Sequence, residues 1–558
     1  MEPKEHKNGG TKAALFVYGV TLLENMAYLS NIFSMITYFN GYMNFGLVKS
    51  ATTLTNFVGA VNLLSLVGGF VCDTYLSRYK ATFLFGVIEI LGYGILALQA
   101  HFNNLRPFPC KNIVPDRTSQ CEPASQQQQA MFFAGLYLFA LGTGAIKAAI
   151  SSLGGDQFDE NDPYEALQLS SYFNWLMFSI TLGACIGVTV MVWISDNIGW
   201  DKSFGLCILL VVIGLCILGS GCKKYRHNTP KGSPIVRLLQ VFVVAVRNRS
   251  LPAPEDGQKL HEIYGTTGQE SELLHRTDQF RFLDKAAIVT EVAPWKTCTI
   301  TQIEEAKIML RMLPLILSTI FMNTCLAQMQ TFSVQQTLTL NRRLGCFNIP
   351  GPSIQFIPLF IMVISLPLYD KIFVPFARKM TGIPSGIRPL QRVGVGLVLS
   401  IITMTIAGFI ETKRKNLAYR VDMVDTTDPL PMTMFWLAPQ FGIFGLADMF
   451  TMVGLLEFFY SESSTRMKSL GMSIAFSSLA FGYLLSSVVV EVVDNVTGGW
   501  LASNNLNRDK LNYFYWLLAG LSLVNFGFYL MCSSWYKYKK LGGAKQVQML
   551  GKGSEDGT

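Results

Sequence analysis

Met131-Phe-Phe-Ala-Gly-Leu-Tyr-Leu-Phe-Ala-Leu141-Gly-Thr-Gly-Ala-Ile-Lys147-Ala-Ala-Ile-Ser-Ser152 reads as a helix that crosses a bilayer with one full charge set well inside it. About 20 apolar residues cover the hydrocarbon core. A lysine at the centre of such a helix costs about 2.5–3.5 kcal/mol on insertion scales. The cost is offset where the ammonium meets a polar cavity or a carboxylate inside a helix bundle. The plainer alternative is a lysine that snorkels to an interface or pins two helices together. Its depth, and Gly142 and Gly144 just before it, which let a neighbouring helix come close, favour a binding or coupling role for Lys147.

Outward from this stretch the apolar pattern repeats. Six spans precede a polar central segment, at residues 12–39, 51–76, 81–101, 131–152, 170–193 and 204–222. Six follow it, at 304–340, 353–377, 389–411, 431–460, 467–493 and 511–535. The expected fold is an all-α membrane protein of twelve transmembrane helices in two six-helix bundles. Its divisions are an N-terminal bundle 1–222, a cytoplasmic linker 223–303, a C-terminal bundle 304–536 and a cytoplasmic tail 537–558. Within the linker, residues 235–246 have the pattern of a short amphipathic helix lying on the membrane. Residues 1–10 are polar and lack the apolar core of a cleavable signal, so the first span is expected to direct insertion.

Composition agrees. The 558 residues are 50% hydrophobic and only 15% charged, where a soluble chain carries about 25% charged residues. The net charge of +8 reads as loop topology rather than as a nucleic-acid surface. Arg78, Lys80, Arg378, Lys379, Arg388, Arg392, Arg466, Lys468, Lys537, Lys539 and Lys540 fall on the linker side, which the positive-inside rule makes cytoplasmic together with both termini. Arg342-Arg343 and Lys413-Arg414-Lys415 are expected in outer loops, the second beside Asp422, Asp425 and Asp428. Asn495-Val-Thr497 is a glycosylation sequon in an expected outer loop, whereas Asn248-Arg-Ser250 lies in the linker and should be silent. Most of the 11 cysteines sit in apolar spans as packing residues. Cys110 and Cys121 share one polar outer loop, where a disulfide is expected.

Enzyme and pump chemistry find no support. There is no P-loop, which disfavours ATP-driven pumping, and the five His show no metal spacing. Gly142-x-Gly144 follows no strand and is helix packing. No cofactor is expected.

The polar residues inside spans carry the remaining signal. Thr21, Glu24, Asn25 and Tyr28 are three, four and seven residues apart and share one face of the first span. Desolvation favours the neutral form of Glu24 and a nearby lysine favours the charged form, so its protonation can switch with its surroundings; a fixed Glu–Lys structural pair is the plainer reading. Span seven carries Gln328, Gln330, Thr331, Gln335 and Gln336, amides that serve helix–helix hydrogen bonds as often as ligands. Span ten carries Asp448 and Glu457, with Pro439, Gly442 and Gly445 suggesting a bendable helix. Glu89 in span three is a further carboxylate to which the sequence gives no role. Span two ends with Asp73 and Arg78, and span eight ends with Asp370, followed by Arg378. An acidic-then-basic corner at the same place in each half suggests two related bundles that rock about a midplane site.

Gly68–Arg78, Leu141–Lys147 with Gly155-Asp-Gln-Phe-Asp-Glu160, Phe173-Asn-Trp175 with Phe178-Ser179, and Asp196-Asn197-x-Gly199-Trp200 resemble the plant nitrate-and-peptide transporter family. That family belongs with the proton-coupled oligopeptide transporters of the major facilitator superfamily. Thr331-Phe332-x-Val334-Gln335, Leu390–Gly396, Pro439-Gln440 and Glu457-Phe-Phe-Tyr460 extend the resemblance over most spans, in order. It implies twelve helices in two bundles joined by a cytoplasmic linker. The family's first helix usually carries Glu-x-x-Glu-Arg; here those positions run Thr21 to Asn25, so only the second carboxylate, Glu24, is present. The family's nitrate-carrying pattern places a His two residues before the span-seven Gln, and here Leu326 stands there. The run Leu23–Leu29 looks like the branch that includes carriers of abscisic acid and gibberellin.

The expectation is a secondary active transporter, proton-coupled, moving a small organic solute. That solute would be an anionic plant hormone such as abscisic acid or gibberellin, carried by alternating access across the plasma membrane. Lys147, Tyr28, Gln328 and Glu457 are the expected substrate contacts and Glu24 the proton-coupling group. Asp73, Arg78, Asp370 and Arg378 are the gating motif. The partners are the solute, protons and the lipid bilayer. Nitrate or di/tripeptide symport is the alternative within the class; a transport-silent receptor or a channel is the alternative outside it.

Overall fold

The structure, a computed structural model, describes residues 8–45, 47–108, 123–159, 162–226, 233–251, 274, 276–288, 295–344, 347–349, 351–383, 385–424, 428–464, 467–501 and 506–539. Cys110 and Cys121 lie outside them, as does the chain beyond residue 539. Among the described residues, twelve helices are long and apolar enough to span a membrane. In chain order the first six are Gly10–Phe39, Thr53–Thr74, Arg78–His101, Gln126–Gly155, Tyr164–Ser195 and Trp200–Ser220. The second six are Ile300–Leu338, Ser353–Thr381, Pro389–Arg420, Met434–Glu462, Lys468–Thr497 and Leu511–Trp535.

Local chemistry sets several of these boundaries. The fourth span opens on a capping box in which the Ser125 hydroxyl accepts from Gln128 N while the Gln128 side chain accepts from Ser125 N. Thr299 and Gln302 repeat the device at the start of the seventh. Asp162 caps the fifth just ahead of Pro163, whose missing N–H costs nothing at a helix start. Two spans carry a π-type turn, Gly187–Met191 in the fifth and Tyr369–Phe373 in the eighth; the second contains Asp370.

Three expectations are corrected. Residues 413–415 are not in an outer loop, because the ninth helix runs on to Arg420. Its extra turns are polar but internally satisfied: fully buried Arg414 donates to both oxygens of Glu411 at 2.8 and 2.7 Å and to Asn507 Oδ1 at 2.6 Å. Residues 430–433 are not helical; Leu430–Thr433 forms a short strand beside Leu340–Asn341 before the tenth span begins. Asn495 is exposed, but it sits in the last turn of the eleventh helix rather than in a loop.

Within the N-terminal half the fourth span packs closely on the third and on the second, and small residues make this geometry. A methyl on Gly142 would lie 2.5 Å from Glu89 Cβ, and one on Gly144 would lie 2.2 Å from the Val61 carbonyl oxygen. Between the halves, the second span packs on the eleventh and the fifth on the eighth. These are the second and fifth helices of each half, exchanged, as two bundles related by a pseudo-two-fold axis require. In the linker, helix Pro234–Arg247 forms. It buries Val241, Val244 and Ala245 against the following segment and exposes Ile235, Val236, Leu239, Val243 and Val246 on the other face.

Candidate functional site

A cavity of about 170 Å³, measured as space open to the centres of water molecules, lies between the halves. A single water needs about 10–15 Å³ on this measure, so the cavity has room for an organic solute and not only for an ion. Spans one, two, four and five line it from one half, and spans seven, eight, ten and eleven from the other. Its walls are largely aliphatic and aromatic, with few polar groups, the usual make-up of a small-molecule site.

Lys147 reaches it from the fourth span. Its Nζ lies 3.9 Å from the centroid of the Tyr28 ring and 6.0 Å from that of Phe476. Among the described residues no carboxylate oxygen comes within the 4.0 Å of an ion pair with it. Cation–π contact contributes about 0.5–2 kcal/mol, less than the insertion cost of the charge. The ammonium is therefore held by ring faces, with Glu24 near it on the cavity wall but, among the described residues, no carboxylate in ion-pair contact. Glu24, one turn before Tyr28 on the first span, also lines the cavity, and its Oε1 is buried with no hydrogen-bond partner among the described residues. Asn25, three residues before Tyr28, turns its amide back onto the Thr21 carbonyl at 2.9 Å.

The opposite wall carries groups the sequence reading noted without assigning. Asp448, on the tenth span, lines the cavity and has a buried Oδ1 with no hydrogen-bond partner among the described residues. Gln330 lines it from the seventh span, with its Oε1 accepting from the Tyr483 hydroxyl. A charged residue inside an apolar span was the signal that singled out Lys147, and the same signal marks Asp448. Leu326 also lines the cavity, so that position belongs to the site and is apolar here.

Two expected contacts are absent from the lining. Gln328 donates through Nε2 to Ser486 Oγ at 2.6 Å and to the Ser486 carbonyl at 3.1 Å, on the eleventh span. Residues two apart on a helix point about 200° apart, so Gln330 faces the cavity and Gln328 the neighbouring helix. Glu457 likewise turns away, lying 3.9 Å from Arg392 and accepting from Ser170 Oγ at 3.2 Å.

Glu457 belongs instead to a polar seam that joins the halves at the linker-side ends of the spans. Arg78 pairs with Asp73 at 3.3 Å and with Asp156, and its Nε donates to Ser469 Oγ of the second half at 2.7 Å. Asp73 accepts from Leu470 N at 2.9 Å, and Asp156 from the Tyr460 hydroxyl at 3.0 Å. Asp370 accepts from Ser171, Asn174 and Trp175 of the fifth span at 2.7, 2.8 and 3.1 Å, and Arg392 donates to Asn174 Oδ1 at 2.8 Å. The two corners thus work differently: Asp73 pairs with its own Arg78, whereas Asp370 is taken up by the facing half. Arg378 lies two turns beyond Asp370 in the same span. This seam ties the two halves together at the linker-side ends of the spans.

The family described as "PTR2: POT family" matches residues 79–506. The chain belongs to the POT family. Its curated relatives include the Arabidopsis thaliana protein NRT1/PTR FAMILY 4.4, 42% identical over 543 residues and covering 95% of this chain and 88% of that protein. NRT1/PTR FAMILY 4.6 of the same plant is 40% identical over 564 residues, covering 96% and 95%. Among solved structures, the fold is similar to the POT family transporter PepTSo, at a TM-score of 0.63 and 16% identity over 95% of this chain and 99% of that one. It is also similar to a POT family transporter in complex with 5-aminolevulinic acid, at 0.59 and 12% over 94% and 97%. The protein is an integral multi-pass membrane transporter of the major facilitator fold, not an enzyme, and it acts on small molecules.

Proposed function

We propose that this transporter couples the movement of a small organic anion to protons, with Lys147 as the counter-charge and Glu24 as the group that takes the proton. The observation that carries the reading is the unpaired ammonium in a cavity walled by both halves. An anion on Lys147 neutralises the charge that favours ionised Glu24, whose Oε1 has no donor of its own among the described residues; the carboxylate then takes a proton. Solute and proton load together without touching. Breaking the seam around Arg78, Asp156, Asp370 and Glu457 would open the linker side, and rocking of the bundles 1–222 and 304–536 would close the other. In this reading the linker 223–303, the tail 537–558 and both termini are cytoplasmic. The membrane is the plasma membrane and the solute an anionic plant hormone such as abscisic acid or gibberellin.

Asp448 favours a second reading. An unpaired carboxylate on the wall formed by the other half suits a solute with an ammonium as well as a carboxylate, such as a di- or tripeptide. Nitrate offers nothing to it. Counterflow into liposomes containing the purified protein, with labelled hormones, dipeptides and nitrate, separates these cases. The account expects saturable exchange of an organic acid, increased by an acidic outside. Flux without saturation and indifferent to pH would indicate a channel, and binding without flux a receptor; either would overturn it.

A further inference from the structure

Glu24 faces two spaces. Besides the main cavity, it lines a second, enclosed one of about 10 Å³ together with Thr82 and Glu89 of the third span, Ile146 of the fourth, and Val211 and Gly214 of the sixth. That volume is the size of one water. Glu89 is fully buried; its Oε1 accepts from the Thr143 hydroxyl at 2.8 Å and its Oε2 has no hydrogen-bond partner among the described residues. Glu24 Oε1 is orphaned in the same way. Glu24 and Glu89 border one water-sized space, and each keeps an acceptor oxygen that the other, when ionised, cannot satisfy. Either one of them carries a proton or a water donates to both, and each arrangement ties the two carboxyl groups together.

We propose that Glu89 is a positioning residue for the proton site: held neutral, it donates to ionised Glu24 through one water in the small space they share. The inference rests on the reading of Glu24 as the proton-coupling carboxylate. Two carboxyl groups sharing a dry site do not both ionise. Lys147, reached through the main cavity that Glu24 also lines, selects Glu24 as the charged member. Glu89 does not line that cavity and accepts from the Thr143 hydroxyl, so of the two it is the member that keeps the proton. The other titratable groups facing the pair are Tyr28 from the first span, Tyr93 from the third and Cys207 from the sixth. None of them is a cation that could hold Glu89 ionised. The arrangement supplies a second carboxyl group to a first helix that has Thr21 where its family has a glutamate, and it does so from a different helix.

The test is the pH dependence of uptake into proteoliposomes, per folded protein, for the parent, Glu89→Met, Glu89→Gln and Gly214→Ala, with Glu24→Gln as reference. Methionine keeps the length of the side chain but cannot donate. Glutamine still accepts from Thr143 and donates from its amide. A methyl on Gly214, which borders the water space, meets its nearest neighbours in Val20 and Leu23 at 3.7 Å and beyond, so it narrows that border without a clash. Losing the donor disfavours ionised Glu24, so Glu24 holds its proton to higher pH. The midpoint of uptake should move to higher pH by about one unit, a tenfold change in proton concentration worth about 1.36 kcal/mol, in Glu89→Met. Gly214→Ala should move it the same way, and Glu89→Gln should leave it in place. An unmoved midpoint in Glu89→Met, or in Gly214→Ala should the Met variant not fold, would overturn the proposal, as would a shift in Glu89→Gln equal to that in Met. If Glu24→Gln keeps the parent's pH dependence, the reading beneath the proposal fails instead.

Discussion

The cavity and the linker-side seam both bury charge, and they treat it in opposite ways. In the seam Arg78 has Asp73, Asp156 and Ser469, and Asp370 has three donors from the fifth span. In the cavity Lys147 has two aromatic faces, and Glu24 and Asp448 each keep an oxygen with no hydrogen-bond partner among the described residues. A buried charge with its partners present costs little to keep and much to disrupt. One without them is costly as it stands, and the cost is recovered only when something else arrives. The seam therefore holds a conformation, while the cavity waits for a solute and a proton.

If the contrast is real, the two regions respond oppositely to truncation. Arg78→Ala removes the guanidinium that Asp73 and Asp156 share and should lower stability by about 3–5 kcal/mol, read as a fall in unfolding temperature in detergent. An unchanged temperature would mean that the seam does not hold the two halves together. Lys147→Ala removes an unpaired charge and should leave the unfolding temperature equal or higher. Its effect should fall on transport instead: uptake of an anionic solute should drop by about 30-fold or more, the consequence of losing about 2 kcal/mol or more from a buried charge contact. Unchanged uptake would return Lys147 to a purely structural role. The smallest contrast is between two neighbours on one helix. Gln330→Leu should weaken solute binding by about two- to tenfold, the worth of one hydrogen bond. Gln328→Leu should leave affinity alone and cost stability through Ser486. Titration of labelled solute against both variants checks this pair, and equal effects on affinity would contradict the assignment of faces.

What could be read from the chain follows the range of the forces involved. Span number, the central break and the isolation of Lys147 depend on local hydropathy, so they were legible. That a neighbouring helix comes close to the fourth at Gly142 and Gly144 was legible too, but not that the first glycine meets the third helix and the second glycine the second. Side-chain direction was not. Gln328 and Gln330 differ by two positions, and only the placement of the seventh helix against the eleventh decides which one faces the solute. Glu457 read as a site residue because its partner Arg392 is 65 positions earlier, on another helix. Residues 413–415 read as a loop because charge counts as exposure until the network around Arg414 is seen. Glu89 had no role on its own, since its meaning depends on the small space it shares with Glu24.

The claim at the centre is that an anion on Lys147 brings a proton onto Glu24. Purified protein in weak buffer with a pH indicator tests it without any gradient or membrane. Adding a saturating mono-anionic substrate should draw about one proton from solution per molecule bound in the parent, the exchange expected when a carboxylate loses its counter-charge. Glu24→Gln should bind the same substrate and draw none. Equal proton uptake by Glu24→Gln and the parent, or none by the parent despite full binding, would contradict the account.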